Sequence, residues 1–421
     1  MSENEYICVM FPYPSGAGLH LGHVYNYAII DSYCKWHRYK GKTVFQPFGY
    51  DAFGLPAENY AKEIGGDPKE VTMANIANFR SQMDDLRTDY YEVLTTCSPE
   101  YIKWTQWVFN KLHEHGLAYK AFSAINWCTG CETVLANEQV KEDKCERCGS
   151  DIEQREMNQW FFKITAYKDR LIKNLDHINM PESTIKQQRH WLESLQDWCV
   201  SRQRKWGCPI PIEGETDTLD TFVDSSFYFL RYLTDSEDEF LPADKYHQVD
   251  LYVGGPEHAC MHLIYARFIH MFLYDIGIVP GEEPFKRVIH QGMITCNGSK
   301  MSKRGNSISP SDFNPAELRF HLMFLGPYFE GGDWTDDESI VGTRRFFARM
   351  NRWIADMDGD DFVDLVKLEQ TIDYYVESFK FNKVVSTFMI FYNQNKKKHM
   401  CREDKERVAK MLNIFAPNFN E

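Results

Sequence analysis

The chain has 421 residues, of which 43% are hydrophobic and 26% are charged, and its formal net charge is −14 at pH 7. This length exceeds one ordinary compact domain, so we expect about two to four structural units with a large buried core. No apolar run approaches the roughly 18 residues that a membrane-spanning helix needs, and the acidic start of the chain is not typical of a signal peptide. These features favour a cytoplasmic protein without a membrane span.

The N-terminal residues predict the first unit of a nucleotide-binding sheet. Residues 6–11 form an apolar run typical of a buried strand, and a turn rich in proline and glycine follows at residues 12–18. A helix is predicted from about residue 20 to residue 39, ended by Gly41. Strand, glycine-rich turn and helix in this order open many nucleotide-binding α/β folds.

Further along the chain, helices are predicted at residues 71–94 and at residues 99–116. Residues 117–165 contain paired cysteines among short alternating strands, which indicates an inserted module. Strands and helices then alternate to about residue 330, and from Asp337 onward the apolar spacing is helical.

The paired cysteines indicate a metal site. Cys128 and Cys131 form one CxxC pair, and Cys145 and Cys148 form another. Two such pairs suit tetrahedral coordination of Zn²⁺ by thiolates, and in a large chain without a leader they favour metal ligands over disulfides. Free thiols or a redox role are the alternatives.

Two other segments contain side chains suited to binding phosphate. His20 and His23 lie three residues apart at the predicted helix start, so they share one face beside the exposed backbone donors of a helix N-terminus. Gly22 allows a ligand to approach the backbone closely. Taken alone, the two histidines also fit an ordinary surface or metal-binding pair.

The second segment is the sequence KMSKRGN at residues 300–306, which is dense in positive charge. A cationic loop of this kind can neutralise the charge of a triphosphate as pyrophosphate leaves. A lysine-rich loop on its own is more often simply solvated.

In this order, the two segments resemble the HIGH and KMSKS signatures of class I aminoacyl-tRNA synthetases. The resemblance narrows to leucyl-tRNA synthetase and covers nearly the whole chain, although Tyr50 stands where that family usually has tryptophan. The matching segments are residues 10–16 (MFPYPSG), 49–58 (GYDAFGLPAE), 104–107 (WTQW), 126–128 (NWC), 134–138 (VLANE), 163–167 (KITAY), 200–207 (VSRQRKWG), 220–226 (DTFVDSS) and 252–262 (YVGGPEHACMH).

The resemblance implies an α/β fold: a Rossmann-type (HUP-like) doubly wound parallel sheet with a zinc-ribbon-bearing insertion and a C-terminal helical bundle. It implies ATP, Mg²⁺ and Zn²⁺ as cofactors, and a monomer whose partners are leucine and tRNA(Leu). We accordingly divide the chain into four parts: the first half of the catalytic domain at 1–116, the zinc-binding insertion at 117–165, the second half with the KMSK loop at 166–335, and a shortened helical bundle at 336–421.

The resemblance also implies the site residues. The catalytic residues would be His20, His23, Lys300 and Lys303. The ATP site would add Gly22, Gly254, Gly255, Glu257, Met301 and Ser302. The amino-acid pocket would be formed by Met10, Phe11, Tyr13, Asp51, Phe222, Tyr252, His258 and His262. A partly buried carboxylate such as Asp51 is a natural partner for the substrate ammonium.

Two departures from the family bear on function. The family carries a large editing domain between the first zinc-bearing module and the second half of the core, whereas residues 191–198 connect these parts directly here. We therefore expect no second hydrolytic site. The family's bundle and its C-terminal RNA-contacting domain also normally extend beyond the point that matches the end of this sequence.

The favoured interpretation is a leucine–tRNA ligase without editing, which activates leucine to leucyl-adenylate and transfers it to tRNA. The alternative is a paralogue outside translation that passes an aminoacyl group to another acceptor, and a catalytically inactive binding module is disfavoured because both phosphate-binding segments are present. Global acidity weakens the case for RNA binding, but local basic groups could contact phosphates. These groups are Arg202, Arg204, Lys205, Lys300, Lys303, Arg304 and residues 396–398, for which plain solvation is the other explanation.

Overall fold

The computed structural model of the protein describes residues 4–14, 18–135, 140–145, 148–258, 260–300, 308–335 and 339–420. Only the backbone is described for five residues in these ranges, namely Leu55, Pro56, Lys141, His258 and Lys300. None of the helices formed by this part of the chain is both long enough and apolar enough to cross a membrane.

The α-helices within the described ranges are distributed along the whole chain. They are α1 Leu21–Tyr39, α2 Leu55–Ile64, α3 Pro68–Asp85, α4 Pro99–Glu114, α5 Lys168–Lys173, α6 Glu182–Glu193, α7 Thr221–Ser225, α8 Tyr228–Arg231, α9 His262–Asp275, α10 Pro315–Phe324, α11 Val341–Ile354, α12 Leu365–Glu377, α13 Phe381–Asn395 and α14 Arg402–Phe415.

The strands end before the four C-terminal helices begin. They are β1 Asn4–Val9, β2 Thr43–Phe45, β3 Pro47–Tyr50, β4 Tyr91–Thr95, β5 Ala118–Cys128, β6 Thr133–Leu135, β7 Val140–Lys141, β8 Lys144–Cys145, β9 Ile152–Phe162, β10 Trp198–Cys199, β11 Ser201–Arg202, β12 Thr218–Leu219, β13 Leu251–Gly254, β14 Val288–His290, β15 Met293–Cys296, β16 Ser299–Lys300 and β17 Gly331–Trp334.

A parallel sheet with the strand order β14-β13-β1-β2 lies at the centre of the fold. The chain leaves β1 through α1 and pairs on one side as β2, and much later it returns on the other side as β13. Because the strand order reverses between β1 and β13, a crevice opens at their carboxyl ends, where ligands bind in doubly wound sheets. The predicted parallel α/β fold is confirmed, and the segments following β1 and β13 meet at this crevice.

Alternating side chains of β1 enter two separate cores. Ile7 and Val9 pack with α1 and the C-terminal helices, whereas Tyr6 and Cys8 pack with the aromatic residues on the other side of the sheet. A strand buried on both faces is continuously apolar, as residues 6–9 are. The sheet therefore forms the middle layer of three.

The inserted module is built on a long two-stranded ribbon. Strands β5 and β9 pair antiparallel without a break from Ala118 opposite Phe162 to Cys128 opposite Ile152. The short strands β6, β7 and β8 lie at the tip of this ribbon, where the paired cysteines lie. The expectation of short strands throughout the module holds only for that tip.

One predicted helix is only partly correct. The helix expected at residues 71–94 ends at Asp85, and residues 91–95 form β4, which pairs in parallel with β3. Arg87 adopts a positive φ of 53°, in the left-handed region that ends a helix. Pairing with a distant strand has overridden the local helical pattern, whereas α1 and α4 confirm the helices predicted at 20–39 and 99–116 within about two residues.

The segment predicted to stand where the family carries its editing domain is short. Helix α6 ends at Glu193, and β10 begins at Trp198, where it pairs with the last residue of β9. Only residues 194–197 lie between these elements, so no domain is inserted between α6 and β10.

Candidate active site

The segment that follows β1 lies between two other strands at the carboxyl edge of the sheet. The backbone N–H of Met10 donates to the carbonyl of Val253 at 2.8 Å, which continues the sheet by one residue. Two residues on, the carbonyl of Pro12 accepts the N–H of Asp51 at 3.0 Å. The three segments that carry most of the predicted pocket residues therefore meet at this edge.

Helix α1 begins at the same edge with its two histidines locked together. The N–H of His23 donates to Nδ1 of His20 at 3.2 Å, and the N–H of His20 donates to Nδ1 of His23 at 3.3 Å, which forms a reciprocal cap. The two rings stack with their centroids 3.7 Å apart. Because both Nδ1 atoms accept hydrogen bonds, each neutral ring carries its proton on Nε2 and presents it as a donor.

Asp51 is a buried carboxylate at the carboxyl end of β3, with 2% of its surface exposed. Burial raises its pKa to about 8, and the charge of Asp220 adds to this effect. Hydrogen bonds from Thr221, Thr96 and Tyr13 favour the ionised form and offset part of the shift. Among the described residues no cation pairs with this carboxylate, so it suits a ligand that brings its own positive charge.

Aromatic rings form one wall of the crevice. Phe11 stacks on Tyr228 with the ring centroids 3.9 Å apart and the planes within 5°. The hydroxyl of Tyr228 is hydrogen-bonded to that of Tyr252 at 2.8 Å, and Tyr252 is in turn hydrogen-bonded to Nε2 of His262. All four side chains are buried, so this chain of contacts fixes the ring positions without a ligand.

Phe222 is held near Asp51 by the first turn of α7. Asp220 caps this helix by accepting the N–H of Phe222 at 3.3 Å, and the hydroxyl of Thr221 donates to the Asp51 carboxylate at 3.0 Å. The Phe222 ring is 6% exposed. One short helix thus contributes both a polar contact to the carboxylate and an apolar ring beside it.

Two glycines follow at the end of β13. A Cβ at Gly254 would lie 1.9 Å from Sδ of Met10, so a larger residue there would displace the Met10 side chain. A Cβ at Gly255 would collide with the carboxylate of Glu257, which folds back over that glycine while remaining exposed. The backbone of this turn is therefore closely covered by two side chains of the predicted site.

A cavity of about 620 Å³ lies beside these glycines, at the carboxyl end of β14. His290, Gln291 and Gly292 line it, and Nδ1 of His290 is hydrogen-bonded to the carbonyl of Gly254 at 2.9 Å. Burial lowers the pKa of His290, which keeps the ring neutral. Its Nε2 is then an acceptor, and this buried atom has no hydrogen-bond partner among the described residues.

Tyr228 and His290 lie at this edge of the sheet but were not among the predicted site residues. Tyr228 comes two residues after a segment that matched the family, and His290 is the last residue of β14. Position at the carboxyl end of a parallel strand could have indicated His290, because that edge carries the ligand. Nothing in the local pattern distinguishes Tyr228 from a core residue.

The predicted lysine loop is only partly described. Lys300 lies at the end of β16, opposite Thr295 of β15, and β15 packs against α1. Met301, Ser302 and Lys303 lie outside the described residues. The chain is described again from residue 308, where a short turn at Pro310–Asp312 precedes α10.

The predicted amino-acid residues form one connected group, apart from His258, whose side chain is not described. Direct interactions, or contacts of the adjacent residue in the chain, join Met10, Phe11, Tyr13, Asp51, Phe222, Tyr252 and His262. Arg202 contradicts the sequence analysis, because its guanidinium is 1% exposed and bonded to Asp220. Its prediction as an RNA contact is therefore wrong.

The four paired cysteines converge at the tip of the ribbon. The Sγ atoms of Cys128, Cys131, Cys145 and Cys148 all lie within 4.8 Å of one another. Tetrahedral zinc with Zn–S bonds of about 2.3 Å places its sulfur atoms about 3.8 Å apart. The cluster therefore fits a structural Zn²⁺ with small adjustments.

Comparison with known proteins identifies the class to which this fold and crevice belong. The family model described as tRNA synthetases class I (M) matches residues 5–359, which is most of the chain. The chain therefore belongs to the class I tRNA synthetases.

Curated relatives narrow the assignment to the leucine–tRNA ligases. The leucine–tRNA ligase of Clostridium kluyveri is 29% identical over 696 residues, and the match covers all of this chain and 86% of the relative. The enzyme of the same name from Caldanaerobacter subterraneus subsp. tengcongensis is 30% identical over 702 residues, with 85% of it covered. Within the class, the chain falls among these ligases.

Two solved structures of tRNA synthetases are also similar to this chain. The ternary complex of Agrobacterium radiobacter K84 agnB2 LeuRS with tRNA and LeuAMS matches the whole chain with a TM-score of 0.89 and 25% identity, and 84% of that chain is covered. Mycobacterium tuberculosis methionyl-tRNA synthetase bound by methionyl-adenylate matches 98% of the chain and is itself covered to 89%, with a TM-score of 0.74 and 18% identity. The second likeness concerns the fold alone.

The alignments also support the absence of an internal domain from this chain. The match to the Clostridium kluyveri ligase extends over 696 residues although this chain has 421, so at least 275 positions within the match have no counterpart here. Because the match includes the whole chain, these positions lie inside it. The four-residue connection between α6 and β10 is consistent with such a loss.

Proposed function

We propose that this protein activates leucine with ATP to form leucyl-adenylate and transfers the leucyl group to tRNA, without a separate editing site. The observation that carries the proposal is the buried Asp51 carboxylate, which pairs with no cation among the described residues, together with the two stacked imidazoles at the start of α1. An amino acid supplies the missing cation, and ATP supplies the anion that the imidazoles suit. Family membership and the full-length leucine–tRNA ligase matches support the same reaction.

In the proposed complex the substrate ammonium pairs with Asp51, and its branched side chain faces the ring wall of Phe11, Phe222 and Tyr252. Ionised Asp51 is favoured once a cation arrives, because an opposite charge at close range lowers a carboxyl pKa. The three hydrogen-bond donors around Asp51 hold it in one orientation before the substrate binds.

In the first step, the leucine carboxylate oxygen attacks the α-phosphorus of ATP and pyrophosphate leaves. Negative charge accumulates on the phosphoryl oxygens in the transition state. The Nε2–H groups of His20 and His23 and the free N–H groups at the start of α1 would stabilise that charge. Lys300 and Lys303 are proposed to act on the leaving pyrophosphate. No covalent enzyme intermediate is required.

The nucleotide would lie over the turn that contains Gly254 and Gly255, with Glu257 accepting from the ribose hydroxyls. Mg²⁺ would come with the phosphates, because this ion prefers substrate oxygens and water to an all-protein cage. In the second step a ribose hydroxyl at the 3′ end of tRNA attacks the carbonyl carbon of the adenylate, and AMP leaves.

A basic face on α11 supports contact with RNA. Arg345, Arg349 and Arg352 are exposed at the spacing i, i+4 and i+7, so they share one face of the helix. None of the three forms an ion pair within the described ranges. Like charges at this spacing slightly destabilise a helix, by a few tenths of a kcal/mol per pair, so an anionic partner would relieve the repulsion.

The basic face continues beyond the helix. The indole N–H of Trp353 donates to the carbonyl of Lys398 at 3.0 Å, which brings the exposed Lys396 and Lys397 to the end of α11. Among the basic groups proposed from the sequence, these two lysines therefore gain support as phosphate contacts. Lys398 itself donates to the carbonyl of Phe362 and is less available.

The experiment that tests the proposal has two stages. Pyrophosphate exchange with each of the twenty amino acids measures adenylate formation, and we expect leucine to give the highest rate. Charging of total tRNA then measures transfer. Exchange without charging would favour the non-tRNA acceptor, and absence of both would refute the proposed enzyme.

A further inference from the structure

Behind the ring wall of the proposed amino-acid pocket lies a second cavity of about 380 Å³. It lies between the inserted module and residues 191–199. Aromatic side chains of Trp191, Trp198 and Tyr265 form part of its lining. The proposed reaction makes no use of this space.

The Tyr265 ring contacts both the lining of the cavity and a proposed wall of the pocket. Tyr265 on α9 stacks against Trp198 with the centroids 3.8 Å apart and the planes within 1°. Tyr265 also meets Phe222, with the centroids 5.8 Å apart. Since Phe222 is a proposed wall of the pocket and Tyr265 itself lines the cavity, the Tyr265 ring supports that wall from the cavity side.

The two neighbours of this ring are anchored to one carboxylate. The indole N–H of Trp198 donates to Asp220 at 3.2 Å, and the same oxygen accepts from the buried Arg202. The other oxygen of Asp220 accepts the backbone N–H of Phe222. The Trp198 indole and the Phe222 backbone are thus anchored, whereas the Phe222 ring is positioned by packing, to which Tyr265 contributes.

We propose that Tyr265 sets the depth of the amino-acid pocket by supporting the Phe222 ring from behind, and that shortening its side chain lets that ring move back and admits larger amino acids. The inference rests on the proposed leucine activation, because it places Phe222 in the pocket wall. In a close-packed interior the loss of a ring leaves space that a neighbouring side chain can enter, and retreat of the Phe222 ring into that space would deepen the pocket.

The test compares Tyr265→Ala and Tyr265→Leu with the unmodified protein in pyrophosphate exchange with leucine and with phenylalanine. We expect kcat/KM for phenylalanine to rise at least about tenfold, with a fall for leucine, because apolar pockets discriminate single groups by about 10–200-fold. Tyr265→Phe keeps the stacked ring and should retain the original selectivity.

Trp191→Ala is the matched control. Trp191 lines the cavity and packs edge-on against the Tyr265 ring, with the ring centroids 6.3 Å apart. It enlarges the cavity without opening the wall, so selectivity should not change. Thermal melting establishes which variants fold, and Tyr265→Leu decides if Tyr265→Ala does not.

The outcomes distinguish failure of the proposed function from failure of the proposed role of Tyr265. If the unmodified protein activates no amino acid, the proposed function is wrong whatever Tyr265 does. If it activates leucine, and folded Tyr265 variants gain nothing with phenylalanine, the role of Tyr265 is overturned. An equal gain in Trp191→Ala would also overturn it, because the effect would then not depend on the wall.

Discussion

Leu19 and Ser311 are joined through one side chain, that of Gln82 on α3. Oε1 of Gln82 accepts the backbone N–H of Leu19 at 2.7 Å, and its Nε2 donates to the hydroxyl of Ser311 at 3.1 Å. Leu19 directly precedes the histidine pair, and Ser311 follows the lysine loop. The two segments that resembled synthetase signatures therefore have flanks on the same side of the molecule, as one shared nucleotide requires.

The histidine pair provides the first prediction. His20→Asn keeps a side chain able to cap α1 but removes the Nε2 donor. We expect kcat for leucine-dependent pyrophosphate exchange to fall by about 10²–10³-fold with little change in KM, as when one transition-state donor is lost. His115→Asn, at an exposed residue that follows α4, is the control. A rise in KM alone would assign His20 to ground-state binding instead.

Asp51 provides the second prediction. Asp51→Asn should lower kcat/KM for leucine by at least about 100-fold, because removing one partner of a buried ion pair costs about 3–5 kcal/mol. The KM for ATP should change little. In the unmodified protein, kcat/KM for leucine should rise with pH up to about 8, as the free carboxyl ionises. A flat profile over this range would contradict the assignment.

Ionisation of the Asp51 carboxyl group should lower the stability of the fold, although it should raise the activity. Its pKa is about 8 in the folded chain and near 3.8 when unfolded, so between these values the folded chain binds more protons. Stability should therefore fall as the pH rises through this window, and Asp51→Asn should remove that loss. Thermal melting at pH 6 and pH 9 measures it, and the variant should gain most at pH 9.

The cysteine cluster provides the third prediction. The purified protein should contain one zinc ion per chain, and Cys145→Ser should lower this content while increasing amide hydrogen exchange in residues 117–165. Cys296→Ser is the control, because Cys296 lies in β15, away from the cluster. Unchanged metal content in Cys145→Ser would show that these thiols are not the ligands.

The basic face of α11 provides the fourth prediction. Arg349→Glu should raise the KM for tRNA about tenfold and flatten the salt dependence of binding by roughly one phosphate contact, while pyrophosphate exchange stays unchanged. Arg189→Glu on α6 is the control, since Arg189 is paired with Asp176. If both variants weaken charging equally, the effect comes from net charge rather than from this face.

The missing editing domain provides the fifth prediction. A pocket that excludes one methylene discriminates only about 10–200-fold, so isoleucine, valine or norvaline should be charged at measurable rates. The mischarged tRNA should then persist, with no excess AMP formed per charged molecule. Hydrolysis of mischarged product stimulated by the protein would reveal a second hydrolytic site.

Features that depend on short-range chemistry were predictable from the order of residues alone. Helix α1 and its two histidines were predictable because a cap is built by residues three apart, and the reciprocal hydrogen bonds of His20 and His23 are of this kind. The zinc-type cluster was predictable for the same reason, since each CxxC pair is local and its ligand chemistry is narrow.

Features that depend on contacts between distant residues became evident only from the folded chain. Asp51 owes its raised pKa to burial and meets Thr221 across 170 positions, and Phe11 stacks on Tyr228, which no local pattern marks. Arg202 appeared to be a free cation in the sequence but is buried against Asp220. Periodicity indicates which residues are apolar, but the partner, the depth of burial and the local dielectric are set by packing, and these quantities control the chemistry.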